Sequence, residues 1–431
     1  MTEHRNQVDP AFAASLMRGM TQRRVSRRDL IKYGGATVGT LSLASILAAC
    51  GGDTAPGGGE APAGDSVDFG AEPGSEINFA NWPLYIDSAK DPETGDRVNP
   101  SLVMFEEETG IHVNYNDEIQ ANDSFFGELL PQLQAGQDTG RDIIVITNGR
   151  EFTALTVNGW ITELDPALRP NFDANAAVWA KDPDYDPGNK FSMAWQSGLT
   201  GMAWNTDKVS QPLAKLDDLM NPDIVGTNSV GMITGDMPDV VMINLGITPS
   251  ESGPAEWQEA ADWIQMLKDS GTLRKFYDQG YIDDFTAGNT AATMAWSGDV
   301  LYYKIWENSP YEFIVPEDGA LLWIDNMMIP ANSANPQGAY KLMDYVYQPE
   351  IAQLITEWVL YMSPVPAVQD LIATHATEEK GAYAGDLDET ASSTLLWPDD
   401  ALLSETPFGR NLTTDEEREE WDAIFIPITE S

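Results

Sequence analysis

The chain contains one cysteine, Cys50, and three histidines, His4, His112 and His375. An intramolecular disulfide, a CxxC redox pair and a cysteine zinc cluster are therefore excluded, and stability must come from packing. No two histidines are close enough in sequence to form a local metal or catalytic pair. Basic residues are also scarce: 24 Lys plus Arg stand against 68 Asp plus Glu, a formal charge of −44. That balance repels nucleic acid and anionic lipid, which removes nucleic acid as a partner. It would draw cations toward a cleft, but a solvated acidic surface suited to a salty habitat is the simpler cause, so charge alone supports cation binding weakly.

Aromatic residues are plentiful, with 13 Trp, 14 Tyr and 14 Phe, as in a packed chain and unlike a disordered one. A length of 431 residues accommodates two lobes of ordinary size. No repeat with a period of 20 to 50 residues is visible, which disfavours a solenoid or propeller.

The amino terminus reads as an address. Arg23-Arg24-Val25-Ser26-Arg27-Arg28-Asp29-Leu30-Ile31-Lys32 resembles a twin-arginine export signal, and a weakly apolar run over 33–49 follows, too short and too polar to span a membrane. It ends in Leu47-Ala48-Ala49-Cys50, which resembles the bacterial lipobox, so residues 1–49 are expected to be removed and Cys50 lipidated. Residues 50–75, rich in Gly, Pro, Ala and acids, are expected to form a flexible tether.

From residue 76 onward, short apolar runs alternate with helical patterns, the rhythm of an α/β fold. Strands are expected at 77–80, 111–115 and 142–147, with helices at 100–108 and 124–134 between them. Two strands at 192–195 and 200–204, separated by the pliant Gln196-Ser197-Gly198, mark a chain crossover. A second α/β series is expected at 230–234, 240–245, 255–268 and 290–296, with a returning strand at 321–330. The first lobe is thus placed at 76–197 and 326–371, and the second at 198–325 and 372–431.

Five segments in this order resemble one family: Asn81-Trp82-Pro83-Leu84-Tyr85-Ile86, Phe105-Glu106-Glu107-Glu108-Thr109-Gly110-Ile111, Asn158-Gly159-Trp160-Ile161, Ala295-Trp296-Ser297-Gly298, and Leu322-Trp323-Ile324-Asp325-Asn326-Met327-Met328-Ile329-Pro330-Ala331-Asn332. The chain resembles the spermidine/putrescine-binding proteins of bacterial ABC importers. The resemblance implies an α/β periplasmic-binding-protein fold of type II, two-lobed, with two crossover strands and a ligand cleft that closes by hinge motion. It also implies a monomer without cofactor that passes its ligand to a permease and an ATPase outside the cytoplasm.

A polyamine carries ammonium groups separated by methylenes, so its site needs spaced carboxylates and flat apolar walls. The resemblance assigns the walls to Trp82, Tyr85, Trp296, Trp323 and Tyr361, and the carboxylates to Asp236, Asp239 and Asp325. For isolated residues the other readings are ordinary ones. Trp82 and Tyr85 would be core packing, and Thr234-Gly235-Asp236-Met237-Pro238-Asp239 is equally a helix start with a capping or first-turn acid. Asp325, an acid in the apolar run 321–330, needs a partner wherever it lies. After the strand at 142–147, Thr147 stands in for the family's hydroxyl, but no aromatic follows, and Arg150 would repel a cation if it faced the cleft.

Three alternatives remain open at this level. One is another small solute, cationic or bearing a carboxylate that Arg150 would grip. The second is a secreted hydrolase working through Asp236, Asp239 and Asp325, although no nucleophile elbow, metal-binding histidine motif or phosphate loop is present. The third is a lipoprotein that only senses a solute for a membrane receptor.

Overall fold

The computed structural model describes residues 67–91, 94–379 and 382–430. The expected signal, Cys50 and most of the expected tether lie outside the described residues. The tether's last part is docked: Phe69 packs on Tyr340 with ring centroids 4.9 Å apart, and Gly74 N–H donates to Asn335 at 3.0 Å. One aromatic in a polar stretch is enough to anchor it, because a ring buries far more apolar surface than its neighbours.

Eleven strands are described: β1 (Glu76–Ala80), β2 (Ala89–Lys90), β3 (Arg97–Val98), β4 (His112–Asn116), β5 (Ile143–Thr147), β6 (Ser192–Asn205), β7 (Val230–Ile233), β8 (Leu273–Tyr277), β9 (Ala292–Trp296), β10 (Tyr311–Ile314) and β11 (Leu321–Met328). Strands β2 and β3 pair as a small hairpin. The other nine form one mixed sheet in the order β4-β1-β5-β11-β6-β9-β7-β8, with β10 also paired to β6. Strands β4, β1 and β5 are parallel, as are β8, β7 and β9, while β11 and β6 run antiparallel to their neighbours between the two groups.

The crossover differs from the expected pair of short strands. Residues 192–205 form one continuous, wholly buried strand. Its first part pairs with β11 and its last part with β9, so one strand serves both lobes. Gln196-Ser197-Gly198 lies inside this strand, and Ser197 exchanges hydrogen bonds with Met362 at 3.1 and 2.9 Å. A register shift lies beside it: Asp325 and Asn326 of β11 face Gln196 and Ala194, so Trp195 is the extra residue and β6 the bulged strand. Bulges of this kind bend a strand and re-aim its side chains.

Two cores flank the crossover. In the first lobe, Phe79, Phe105, Ile143, Trp195, Leu342 and Ile355 pack on one sheet face, and Ile144, Ile146, Phe152 and Met328 on the other. The second lobe packs Met232, Val241, Trp257, Ile264, Met294 and Phe285 together. Several helices begin at a proline, including Pro100, Pro254, Pro336 and Pro349, where the missing N–H costs nothing and the fixed φ favours the first turn. Where the second lobe was expected to resume at 372, Ile372, Ala376 and Leu387 remain in the first core. The helix Val368–Glu378 packs on Pro349–Val359 beside it. Leu396, Leu412 and Phe425 belong to the second core.

Candidate functional site

The parallel strands of both lobes end at the crossover. Beyond their carboxyl ends, where α/β sheets commonly bind ligands, lies a cleft lined by side chains from both lobes. Of the nine residues expected there, eight line it: Trp82, Tyr85, Thr147, Asp236, Trp296, Trp323, Asp325 and Tyr361.

From the first lobe, the turn after β1 presents Trp82 and Tyr85. Leu84 holds a left-handed backbone with φ of 62°, and the Trp82 indole N–H donates to the Val145 carbonyl at 3.1 Å. Thr147 ends β5, its hydroxyl donating to Asp325 Oδ1 at 2.6 Å while accepting from the Asn122 amide at 2.9 Å. Asp325 is only 6% exposed. Burial raises its carboxyl to about 6, against the opposing pull of the Thr147 hydrogen bond. Burial and the Asp325 charge in turn hold the Tyr85 hydroxyl neutral, well above the usual phenol range.

From the second lobe, Asp236 precedes the helix Met237–Asn244. Its position matches the local expectation of a helix start, but its side chain caps nothing. Instead Oδ2 accepts from the Thr200 hydroxyl at 2.5 Å and from the Trp296 indole N–H at 2.8 Å. Burial pushes the Asp236 carboxyl up, and these two donors offset part of that shift. Trp323 donates through Nε1 to Thr200 Oγ1 at 3.2 Å, so Thr200 joins the Trp323 indole to the carboxylate that also holds the Trp296 indole.

Asp239 does not join the cleft. Its Oδ1 accepts from Arg410 N–H at 2.9 Å, and Gly409 lies so close that an added Cβ there would sit 2.5 Å from Oδ2. The chain segment at 409–410 covers this acid, and burial raises its carboxyl to about 7. Arg150 also stays out of the cleft lining, paired with Glu151 at 2.7 Å and Asp422 at 3.4 Å.

Asp299 was missed. It lines the cleft, with Oδ1 accepting from the Tyr361 hydroxyl at 3.0 Å and Oδ2 from the Tyr281 hydroxyl at 2.9 Å. The Tyr281 hydroxyl accepts from Trp296 N–H at 3.1 Å, which ties one aromatic wall to the other. The lining thus has three carboxylates and five aromatic walls, and no Lys, Arg or His. Among the described residues no group of acidic, histidine or cysteine side chains is arranged to hold a metal ion.

Comparison with known proteins agrees with this architecture. The sequence model of the family described as "Bacterial extracellular solute-binding protein" matches residues 102–384, well over half of the chain. The chain belongs to that family. Among relatives, the putrescine-binding periplasmic protein PotF of Escherichia coli is 27% identical over 332 residues, spanning 71% of this chain and 82% of that protein. The spermidine/putrescine-binding periplasmic protein 1 of Haemophilus influenzae is 25% identical over 283 residues, 65% of this chain and 76% of its own length. The crystal structure of the Streptococcus pneumoniae spermidine/putrescine transporter substrate-binding protein PotD superposes with a TM-score of 0.65 at 22% identity, covering 83% of this chain and 99% of that one. The fold is the two-lobed type II fold of periplasmic binding proteins.

As an extracellular solute-binding protein, this chain is a transport component and not an enzyme, which sets aside the hydrolase reading. No helix among the described residues is long and apolar enough to cross a membrane. For a solute-binding protein, Asp299 carried a readable signal: an acid three residues after a cleft tryptophan, in the first turn of the helix Ser297–Leu301. Gln279 and Asn122, which also line the cleft, carried none.

Proposed function

We propose that this protein is the lipid-anchored, extracytoplasmic binding subunit of an ABC importer and that it captures a polyamine of the putrescine or spermidine kind. One observation carries the reading: Asp236, Asp299 and Asp325 converge on a cleft walled by Trp82, Tyr85, Trp296, Trp323 and Tyr361, with no cation of the protein's own in the lining. A ligand with separated ammonium groups supplies the missing charge, and its methylenes fill the space between rings. Each ammonium over a ring face gains roughly 0.5 to 2 kcal/mol, and each buried methylene about 0.8 kcal/mol. The names of the relatives support the same ligand class.

In this reading the lobes close over the ligand about β6 and β11, and the closed form delivers it to a permease and its ATPase. Export follows the twin-arginine string at 23–32, and Cys50 holds the body at the membrane. Calorimetry with putrescine, spermidine, agmatine and basic amino acids tests the ligand. Binding of a carboxylate solute, with no amine bound below millimolar, would overturn it. Cys50→Ser should release the protein from the membrane fraction, and a strain lacking the protein should lose uptake of the amine.

A further inference from the structure

Arg150 opens the helix Arg150–Val157, whose Phe152 and Leu155 are buried in the first lobe beside Ile144 and Met328. Its guanidinium reaches out of that lobe to Asp422 on the helix Asp415–Thr429, which is anchored through Phe425 in the second lobe's core. Thr153, on the helix that Arg150 opens, donates through Oγ1 to Asn411 Oδ1 at 2.7 Å. The chain around Asn411 is held to the second lobe. Leu322 N–H donates to the Pro407 carbonyl at 3.0 Å, Arg410 N–H to Asp239 at 2.9 Å, and the Arg410 guanidinium to the Ser250 carbonyl and Glu417, both at 2.7 Å. None of Arg150, Thr153, Asn411 and Asp422 lines the cleft.

We propose that Arg150–Asp422 and Thr153–Asn411 form an interlobe clasp, which makes Arg150 an affinity-determining residue that never touches the ligand. The inference rests on the hinge-closing reading above. Side-chain contacts between two bodies form in only some of their relative orientations, so whatever free energy the clasp adds favours the orientation seen here, in which both lobes line one cleft, over orientations that part them. Apparent ligand affinity scales with the population of the binding-competent form, so the clasp enters the dissociation constant without entering the site. The ion pair is half-exposed, and its contribution is modest and screened by salt.

The test is made from the Asp422 side. Removing Arg150 would also strand Glu151, whose side chain is only 13% exposed. In low salt, Asp422→Asn and Asn411→Ala should each raise the putrescine dissociation constant about two- to fivefold, mainly through faster release, as expected for one weak pair. The Asp422→Asn effect should shrink in 0.5 M salt. Asp422→Arg, which sets a second guanidinium against Arg150, should cost more, and that larger loss should also shrink in 0.5 M salt. Small-angle scattering of the ligand-free variants should report a larger radius of gyration than the parent. Unchanged release rates and unchanged scattering in both single variants would overturn the clasp while leaving polyamine binding intact. If no amine binds the parent, the polyamine reading falls, and the scattering comparison alone decides the clasp.

Discussion

Tyr85 and Tyr361 meet edge to face in the lining of the cleft, ring centroids 5.3 Å apart, and each follows a leucine in the left-handed conformation. Leu84 has φ of 62° and Leu360, which ends the helix Pro349–Val359, has φ of 57°. Leucine rarely adopts that region, and such strain persists where the surrounding packing over-determines it. Here it turns two chain segments so that both phenols face one space.

Behind Tyr361 stands Gly298. An added Cβ there would lie 2.6 Å from three atoms of the ring, so only glycine lets the ring seat. Gly298→Ala should push Tyr361 toward the ligand space and break its bond to Asp299. Overpacking of this kind costs about 1 to 3 kcal/mol. We expect calorimetry to show roughly tenfold weaker amine binding, with a lowered melting temperature. An alanine variant that binds as the parent does would show that Tyr361 is not a wall of the site.

Trp296→Phe keeps an aromatic face but deletes the N–H that Asp236 accepts at 2.8 Å. Hydrogen bonds to a charged group contribute about 1.5 to 3 kcal/mol. Affinity should fall by about that much, because Asp236 becomes harder to ionise as well as worse placed. Equal affinities for parent and variant would separate Asp236 from ligand binding.

Asp325 sets the pH dependence of binding. Its carboxyl, raised to about 6 by burial, must be ionised to hold an ammonium, and the ammonium keeps its proton far above that pH. The amine dissociation constant should therefore rise as pH falls below 6, approaching about tenfold per unit for a single proton. Asp325→Asn should weaken binding by on the order of 2 to 5 kcal/mol and remove that pH step. A step that persists in the variant would assign it elsewhere.

Stability should respond to pH in the opposite sense. Burial raises Asp87 to about 6, Asp239 to about 7 and Asp325 to about 6, so each binds its proton more readily folded than unfolded. Stability then falls as pH rises from about 4 through these values. His375, raised by its bond to Glu357 with Glu379 adding to it, acts the same way, because its contribution is complete below its unfolded value and lost as pH rises through the folded one. The ligand-free protein should melt at a higher temperature at pH 5 than at pH 8. Asp239→Asn should flatten that difference and leave amine affinity within about twofold, since the amide oxygen can still accept from Arg410. A large affinity loss would return Asp239 to the ligand site.

The sequence by itself determined the α/β rhythm, because apolar runs such as Ile143 to Val145 and Val230 to Ile233 are buried on both faces whatever they pair with. Trp82, Trp296 and Asp325 became candidate cleft residues through the family resemblance of their motifs, with which their places at strand ends or inside an apolar strand agree. Only the tertiary structure decided which acids share the cleft. Asp236 and Asp239 look alike within one helical turn, yet one faces Thr200 and Trp296 while the other is covered by Gly409 and Arg410. Arg150 likewise finds its second partner 272 residues away. Side-chain periodicity says which face a residue occupies, and it holds no information about what distant chain comes to lie against that face.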